Sequence, residues 1–226
     1  MKVEVAGASV FLRNRREAGS LLAERLPVSK YSNALVLAIP RGGIVIGCEI
    51  AERIGASLDI VAPRKLRDPT EPELAIGAVM HDGSLFLNQS IIMARQVSIH
   101  YIEQERKLQM QESRRRLQEY RNGKEFPRIS GTDIILSDDG IATGATIIAA
   151  ARWLRAERPR RLTLAVPVVP KGITGVIRQE VDEVVYLDSP AVFYGIGQFY
   201  RSFEQVTDTD VKELLQKYWE SGSTQP

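Results

Sequence analysis

Short apolar runs alternate with amphipathic segments along most of the chain. Residues 34–39 and 133–137 carry nearly continuous apolar runs, which are typical of strands buried on both faces of a parallel sheet. Residues 44–54 repeat apolar side chains at helical spacing, and Gly55 ends that segment. Because such strands and helices alternate repeatedly, we predict an α/β fold with a mostly parallel, twisted sheet and helices on both faces.

The same patterns place the remaining elements. Helices are predicted over 10–26, 90–121, 143–157, 172–179 and 208–219. Strands are predicted over 58–62, 74–80, 84–87, 161–168 and 183–187, and the turn residues 81–83 join two of them in a hairpin. No linker or repeat interrupts this order, so we predict a single domain over 1–226 with a helical insertion at about 88–125.

Composition narrows the class of protein. The 226 residues carry a formal net charge of +2 without a like-charge tail, and this balance disfavours nucleic acid as a partner. The lone cysteine, Cys48, allows no disulfide within the chain and is expected to be a buried thiol. The two histidines, His81 and His100, lack partners at ligand spacing, which disfavours a zinc site. No segment is typical of a signal peptide or a membrane span, so we expect a cytoplasmic protein with no membrane partner.

A candidate phosphate and sugar site follows the strand predicted at 133–137. Two adjacent carboxylates end the strand, and a run of small residues then opens a helix. The run reads Asp138, Asp139, Gly140, Ile141, Ala142, Thr143, Gly144, Ala145 and Thr146. Free backbone N–H groups and hydroxyls at a helix start bind phosphate, and carboxylates accept hydrogen bonds from sugar hydroxyls. The segment therefore favours a 5-phosphorylated ribose, and an acid pair that only caps a helix is the alternative.

Residues 134–146 resemble the signature of the type I phosphoribosyltransferase family, in which an apolar strand and two acids precede a small-residue loop ending in Thr-Gly-x-Thr. Ser137 departs slightly, because this position is usually apolar. The resemblance implies ribose contacts for Asp138 and Asp139, and 5-phosphate contacts across residues 142–146. It also implies 5-phosphoribosyl 1-pyrophosphate as donor and Mg²⁺ as cofactor. The donor would hold most of the Mg²⁺ coordination, with Asp138 or Asp139 as the candidate protein ligands.

A second segment supports the same donor. Arg41, Gly42 and Gly43 follow another predicted strand and begin a helix, so their amides also face an anion. This Arg-Gly-Gly segment is similar to the pyrophosphate loop of the same family. The resemblance implies a cis peptide bond between Pro40 and Arg41.

A long polar segment at 63–73 carries Arg64 and Lys65. In the family a mobile loop at this position closes over the reacting sugar, so the resemblance implies that Arg64 or Lys65 neutralises departing pyrophosphate. A solvated surface loop is the alternative. Lys65, Arg64, Asp138 and Asp139 are the catalytic candidates.

The acceptor is not identified by the sequence. Ala142 stands where hypoxanthine–guanine enzymes of the family carry an acid, and its identity disfavours those acceptors. Aromatic residues crowd the segment at about 188–206, where the family places a variable hood that recognises the acceptor. They are Phe193, Tyr194, Phe199, Tyr200 and Phe203. Packing in the core or between subunits is favoured over stacking on a substrate ring.

The helix predicted over 90–121 exceeds what the family's basic fold needs. Its arginines are interleaved with glutamates, which is typical of a solvated helix with i,i+4 ion pairs and disfavours RNA binding. Two uses stay open for it, a part of the hood or a contact in a homodimer.

Two functions fit the donor site. The resemblance implies an enzyme, a pentosyl-transferring phosphoribosyltransferase of nucleotide and nucleoside metabolism that moves phosphoribose to a nitrogenous acceptor and releases pyrophosphate. The alternative is a regulator of the same fold that senses the donor without turnover. No helix-turn-helix region is evident at either end, and the Lys65 segment favours turnover.

Overall fold

Two sheets organise the computed structural model, which describes residues 10–31 and 33–221. The strands are β1 (Leu35–Ala38), β2 (Ser57–Ile60), β3 (Arg64–Arg67), β4 (Ala75–Val79), β5 (Leu85–Leu87), β6 (Asp133–Ser137), β7 (Arg161–Val168) and β8 (Glu183–Asp188). The larger sheet is entirely parallel and has the order β2-β1-β6-β7-β8. The smaller sheet, β3-β4-β5, is antiparallel. The predicted α/β fold and the hairpin at 74–87 are confirmed.

Helices cover both faces of the parallel sheet. They are α1 (Arg15–Glu24), α2 (Val28–Tyr31), α3 (Gly43–Ile54), α4 (Gln89–Arg95), α5 (Ile99–Arg121), α6 (Ala145–Ala156), α7 (Lys171–Glu180) and α8 (Asp208–Glu220), with a 3₁₀ turn at Ile196–Phe199. One apolar core joins α1, α3 and α8 to one face, and a second core joins α6 and α7 to the other. Within β1, Val36 faces the first core and Leu37 the second, as strand alternation requires.

Helix α1 is shorter than the predicted helix over 10–26. Leu12 lies before the helix, because its backbone forms hydrogen bonds with Phe199 and Arg201 near the other end of the chain. Asn14 then caps α1, with its side chain accepting a hydrogen bond from Glu17 N at 3.0 Å.

The single helix predicted over 90–121 is wrong, because the structure has two helices there. Gln96 adopts a left-handed conformation with φ of 52° and ends α4. Ser98 then caps α5 through a hydrogen bond from Tyr101 N. A cap residue two positions after a left-handed residue stops one helix and starts another, although the apolar pattern continues.

The segment at 63–73 is not a loop throughout, because its first residues form β3. Leu66 packs with Ile76 and Val79 in a small third core, and β3 pairs with β4 along its length. The sequence pattern did not predict this strand, because Leu66 is the only apolar residue among its four and the other three are charged.

Cys48 is buried on α3, and burial raises the pKa of its thiol to about 12, so it is an inert core residue.

Among residues 10–31 and 33–221, no helix combines the length and apolar character needed to cross a membrane.

Candidate functional site

The carboxyl ends of β1 and β6 are neighbours at the centre of the parallel sheet, where Ala38 pairs with Ser137. The chain leaves β1 toward β2 on one side and β6 toward β7 on the other. A crevice opens at such a reversal, and ligands bind there in open α/β sheets. The loops after β1 and β6 line a cleft of about 600 Å³, which we call the strand-end cleft.

Most of the predicted site residues line the strand-end cleft. They are Arg41, Gly42, Arg64, Lys65, Asp138, Asp139, Gly140, Ile141, Ala142, Thr143, Gly144 and Thr146. Gly43 and Ala145 are buried directly behind this lining. Three segments predicted separately therefore meet at one concave surface.

The acid pair lies at the cleft rim of β6. Asp138 is partly exposed, and its Oδ1 accepts a hydrogen bond from Asp139 N at 2.8 Å. Burial, and then the charge of Asp139, raise the pKa of Asp138 well above its usual range. Burial also raises the pKa of Asp139, although Arg15 opposes that rise. The cleft thus holds two crowded carboxylates, which hydroxyl donors or a cation would stabilise.

Arg15 is a cleft residue that the sequence did not suggest. Its Nε donates to Asp139 Oδ2 at 2.8 Å, and its guanidinium lies 3.8 Å from the ring centroid of Phe203. Both residues line the cleft, and their side chains are mostly buried there. Arg15 is separated from Asp139 by 124 residues, so no local motif marks it.

Gly42 lets the two loops of the site touch. A Cβ on Gly42 would lie 1.9 Å from Asp139 Oδ2 and 2.8 Å from Arg15 Nε. Only glycine allows this approach, which brings the Arg41 segment against the acid pair. The peptide bond between Pro40 and Arg41 is cis, as expected.

Helix α6 begins at the cleft, which Thr143, Gly144 and Thr146 line. Gly144 is its N-cap and has φ of 78°, a left-handed conformation that favours glycine. Ala142 and Thr143 are exposed just before it. The unpaired amides of a helix start and its positive dipole end together favour an anion at this position.

Strand alternation separates the two cations of β3. Lys65 is exposed at the cleft, and its charge is among those that oppose the burial-driven rise in the pKa of Asp138. Arg64 also lines the cleft, but its Nε donates to Gln109 Oε1 of α5 at 3.2 Å. Burial lowers the pKa of Arg64. Lys65 is therefore the freer of the two charges.

The aromatic residues of 193–203 mostly pack inward. Phe199 and Tyr200 are buried, and Tyr200 donates to the carbonyl oxygen of Asp139 at 2.8 Å. Phe193 stacks on Phe199, while Tyr194 is 90% exposed. Only Phe203 of these five lines the cleft. Packing is thus the main use of this segment, which also supports the acid loop.

The carboxylates fit a divalent cation that is mainly held by a ligand. No cluster of three or more acidic, histidine or cysteine side chains suited to a metal occurs in the part of the chain that the structure describes. Mg²⁺ is commonly bound by one or two carboxylates together with substrate phosphates and water. Asp138, which is partly exposed at the cleft, is suited to such a contact.

The family model and the curated relatives that match this chain indicate the same family. A model described as the phosphoribosyl transferase domain matches residues 12–200. A protein provisionally named a phosphoribosyl transferase, from two strains of Mycobacterium tuberculosis, is 37% identical over 204 residues. Those residues are 90% of this chain and 46% of the relative, so the chain spans about half the length of these curated relatives. A crystal structure of a protein from Thermus thermophilus is 38% identical, with a TM-score of 0.77 over 92% of this chain and 99% of that one. The chain therefore belongs to the phosphoribosyl transferase domain family.

Proposed function

We propose that this protein binds 5-phosphoribosyl 1-pyrophosphate with Mg²⁺ in the strand-end cleft and transfers its phosphoribosyl group to a nitrogenous acceptor, releasing pyrophosphate. The observation that carries the proposal is the meeting of three segments. The acid pair, the start of α6 and the Arg41–Gly43 segment all face one cleft of about 600 Å³. A cleft of that volume is large enough to hold 5-phosphoribosyl 1-pyrophosphate.

Each part of the donor has a chemically suited partner. The 5-phosphate fits the amides and hydroxyls between Ala142 and Thr146, at the positive end of α6. The ribose hydroxyls fit Asp138 and Asp139, whose oxygens accept hydrogen bonds. The pyrophosphate fits the Arg41 segment and Lys65, where positive charge is available.

The protein would act on the reaction mainly by placement and charge. Displacement at the anomeric carbon builds positive charge on the ribose and negative charge on pyrophosphate. The carboxylates at 138 and 139 would stabilise the first, and Lys65 and Arg41 the second. Mg²⁺, when bound, supplies further neutralisation of the pyrophosphate charge.

Part of the cleft lining is apolar, and we assign the acceptor to that part. Ile196, Phe203 and Val206 line it together with Ile141. A flat ring fits such a surface. Ala142 offers no general base, so we propose an acceptor that needs no deprotonation by that position.

A screen for pyrophosphate release tests turnover. Wild-type protein would be mixed with the donor, Mg²⁺ and a panel of nitrogenous bases, and release should occur with at least one base. Lys65→Ala should lower kcat by about 10²–10³-fold, the usual effect of removing one group that stabilises developing charge. Lys107→Ala is the matched control, because Lys107 is an exposed lysine of α5 outside the cleft.

Donor binding without release across the whole panel would contradict the enzymatic proposal. That result would instead support a protein that senses the same donor. Equal effects of Lys65→Ala and Lys107→Ala would contradict the role given to Lys65.

A further inference from the structure

The inner face of α5 carries polar residues where a helix normally buries apolar ones. Glu105, Gln109, Ser113 and Tyr120 share this face, and none of them exceeds 9% exposure. Buried polar groups destabilise a protein unless they find partners. The partners of these four residues therefore indicate what α5 holds in place.

Three of these residues hold the chain that enters and forms β3. Ser113 Oγ donates to the carbonyl oxygen of Ala62 at 2.5 Å, and Gln109 Oε1 accepts from Arg64 Nε at 3.2 Å. Glu105 Oε1 accepts from Gln109 Nε2 at 3.1 Å and from Arg67 N at 3.3 Å. These contacts fix both the backbone of β3 and the guanidinium of Arg64.

The fourth residue acts on the Arg41 segment of the cleft. Tyr120 donates from its hydroxyl to Asp208 Oδ1 at 2.6 Å. The same oxygen lies 3.7 Å from Nη1 of Arg41. Tyr120 therefore holds the carboxylate that Arg41 faces.

We infer that α5 positions Arg64 and Arg41, two of the arginines that line the strand-end cleft, for the pyrophosphate group of the ligand. This inference rests on the proposed function, because it assigns both arginines to the same phosphate group. It also assigns a function to α5, the long helix that exceeds what the family's basic fold needs. Gln109 and Tyr120 are positioning residues, since each acts through an arginine and neither lines the cleft.

Positioning matters here because an arginine side chain has many rotamers. Ordering it on binding costs free energy, whereas a guanidinium already held in place loses less. The benefit is confined to the ligand group that the arginines contact. The inference therefore predicts a selective effect on pyrophosphate and none on the ribose phosphate end.

Two conservative variants test this, Gln109→Leu and Tyr120→Phe. Binding of inorganic pyrophosphate with Mg²⁺, and separately of ribose 5-phosphate, would be measured by calorimetry. Each variant should weaken pyrophosphate binding about 3- to 10-fold, the range for loss of one hydrogen bond. Ribose 5-phosphate affinity should stay within about twofold, because the α6 start and the acid pair are unchanged.

Matched controls carry the same substitutions away from the network. Gln111→Leu lies on the exposed side of α5, and Tyr186→Phe lies on β8 at the far side of the sheet. Both should bind the two ligands as the wild type does. Thermal unfolding of all four variants would show that each is folded.

The outcomes separate the two proposals. Unchanged pyrophosphate binding in both variants, or an equal loss for both ligands, would overturn the positioning role while leaving the proposed function standing. A wild-type protein that binds neither ligand would overturn the proposed function itself.

Discussion

At the scale of single residues, Asp138 illustrates the cost of a charged site. Burial, followed by repulsion from Asp139, raises its pKa. For a carboxyl group whose pKa is higher in the folded protein, the ionised form is disfavoured by folding. Stability is then lost as pH rises from the unfolded pKa of about 3.9 through the raised folded value. A ligand that donates hydrogen bonds or brings a cation would relieve this cost.

Asp138→Asn should therefore stabilise the unliganded protein by about 1 kcal/mol near pH 8. The amide keeps an oxygen that can accept a hydrogen bond from Asp139 N, and it removes the charge that partial burial and Asp139 disfavour. Thermal unfolding at about pH 5 and about pH 8 would measure the gain, which should be larger at the higher pH. Asp182→Asn is the opposite control, because a hydrogen bond from Arg155 lowers the pKa of Asp182 and its loss should destabilise. A pH-independent change at Asp138 would contradict the account.

Residues joined only in three dimensions could not be predicted. The acid pair and the Thr143–Thr146 segment were predictable, because strand, acids and helix start are adjacent in sequence and each has a local physical signature. Arg15 and Asp208 were not, since each meets its cleft partner across more than 100 residues of chain. Gly42 was predicted as part of a phosphate loop, yet its close approach to Asp139 appears only in the structure.

At the scale of elements, the apolar pattern predicted the parallel strands well, but it missed strand β3 and the break between α4 and α5. Strand β7 was predicted with its observed bounds, because a long apolar run has few alternatives. Strand β3 was missed because its charged residues conceal a single buried leucine. The break between α4 and α5 was missed because a left-handed residue such as Gln96 leaves no hydrophobic signal.

The helix break gives a test of its own. Gln96→Gly should raise the free energy of unfolding by about 1 kcal/mol, because glycine adopts the left-handed conformation without the Cβ clash. That gain corresponds to about 2–4 °C in the unfolding midpoint. The same change at Gln104, an exposed position within α5, should lower stability by about 1 kcal/mol. Equal effects at the two positions would show that residue 96 is not left-handed.

At the scale of the whole molecule, two structural units serve one cleft. The parallel sheet supplies the acid pair, the Arg41 segment and the start of α6. The small antiparallel sheet supplies Lys65 and Arg64, and α5 connects it to α8 through Glu105, Gln109 and Tyr120. Whether the chain works as a homodimer, and whether residues 1–226 are a single domain, stay predictions.

The most direct test of the central claim is a calorimetric titration of 5-phosphoribosyl 1-pyrophosphate into the wild type and Asp138→Asn, each with and without Mg²⁺. We predict binding by the wild type that requires Mg²⁺, and affinity at least about tenfold weaker in the variant, which loses a charged hydrogen-bond acceptor. A wild-type protein that takes up no donor, or an Asp138→Asn protein that binds it equally well, would contradict the account.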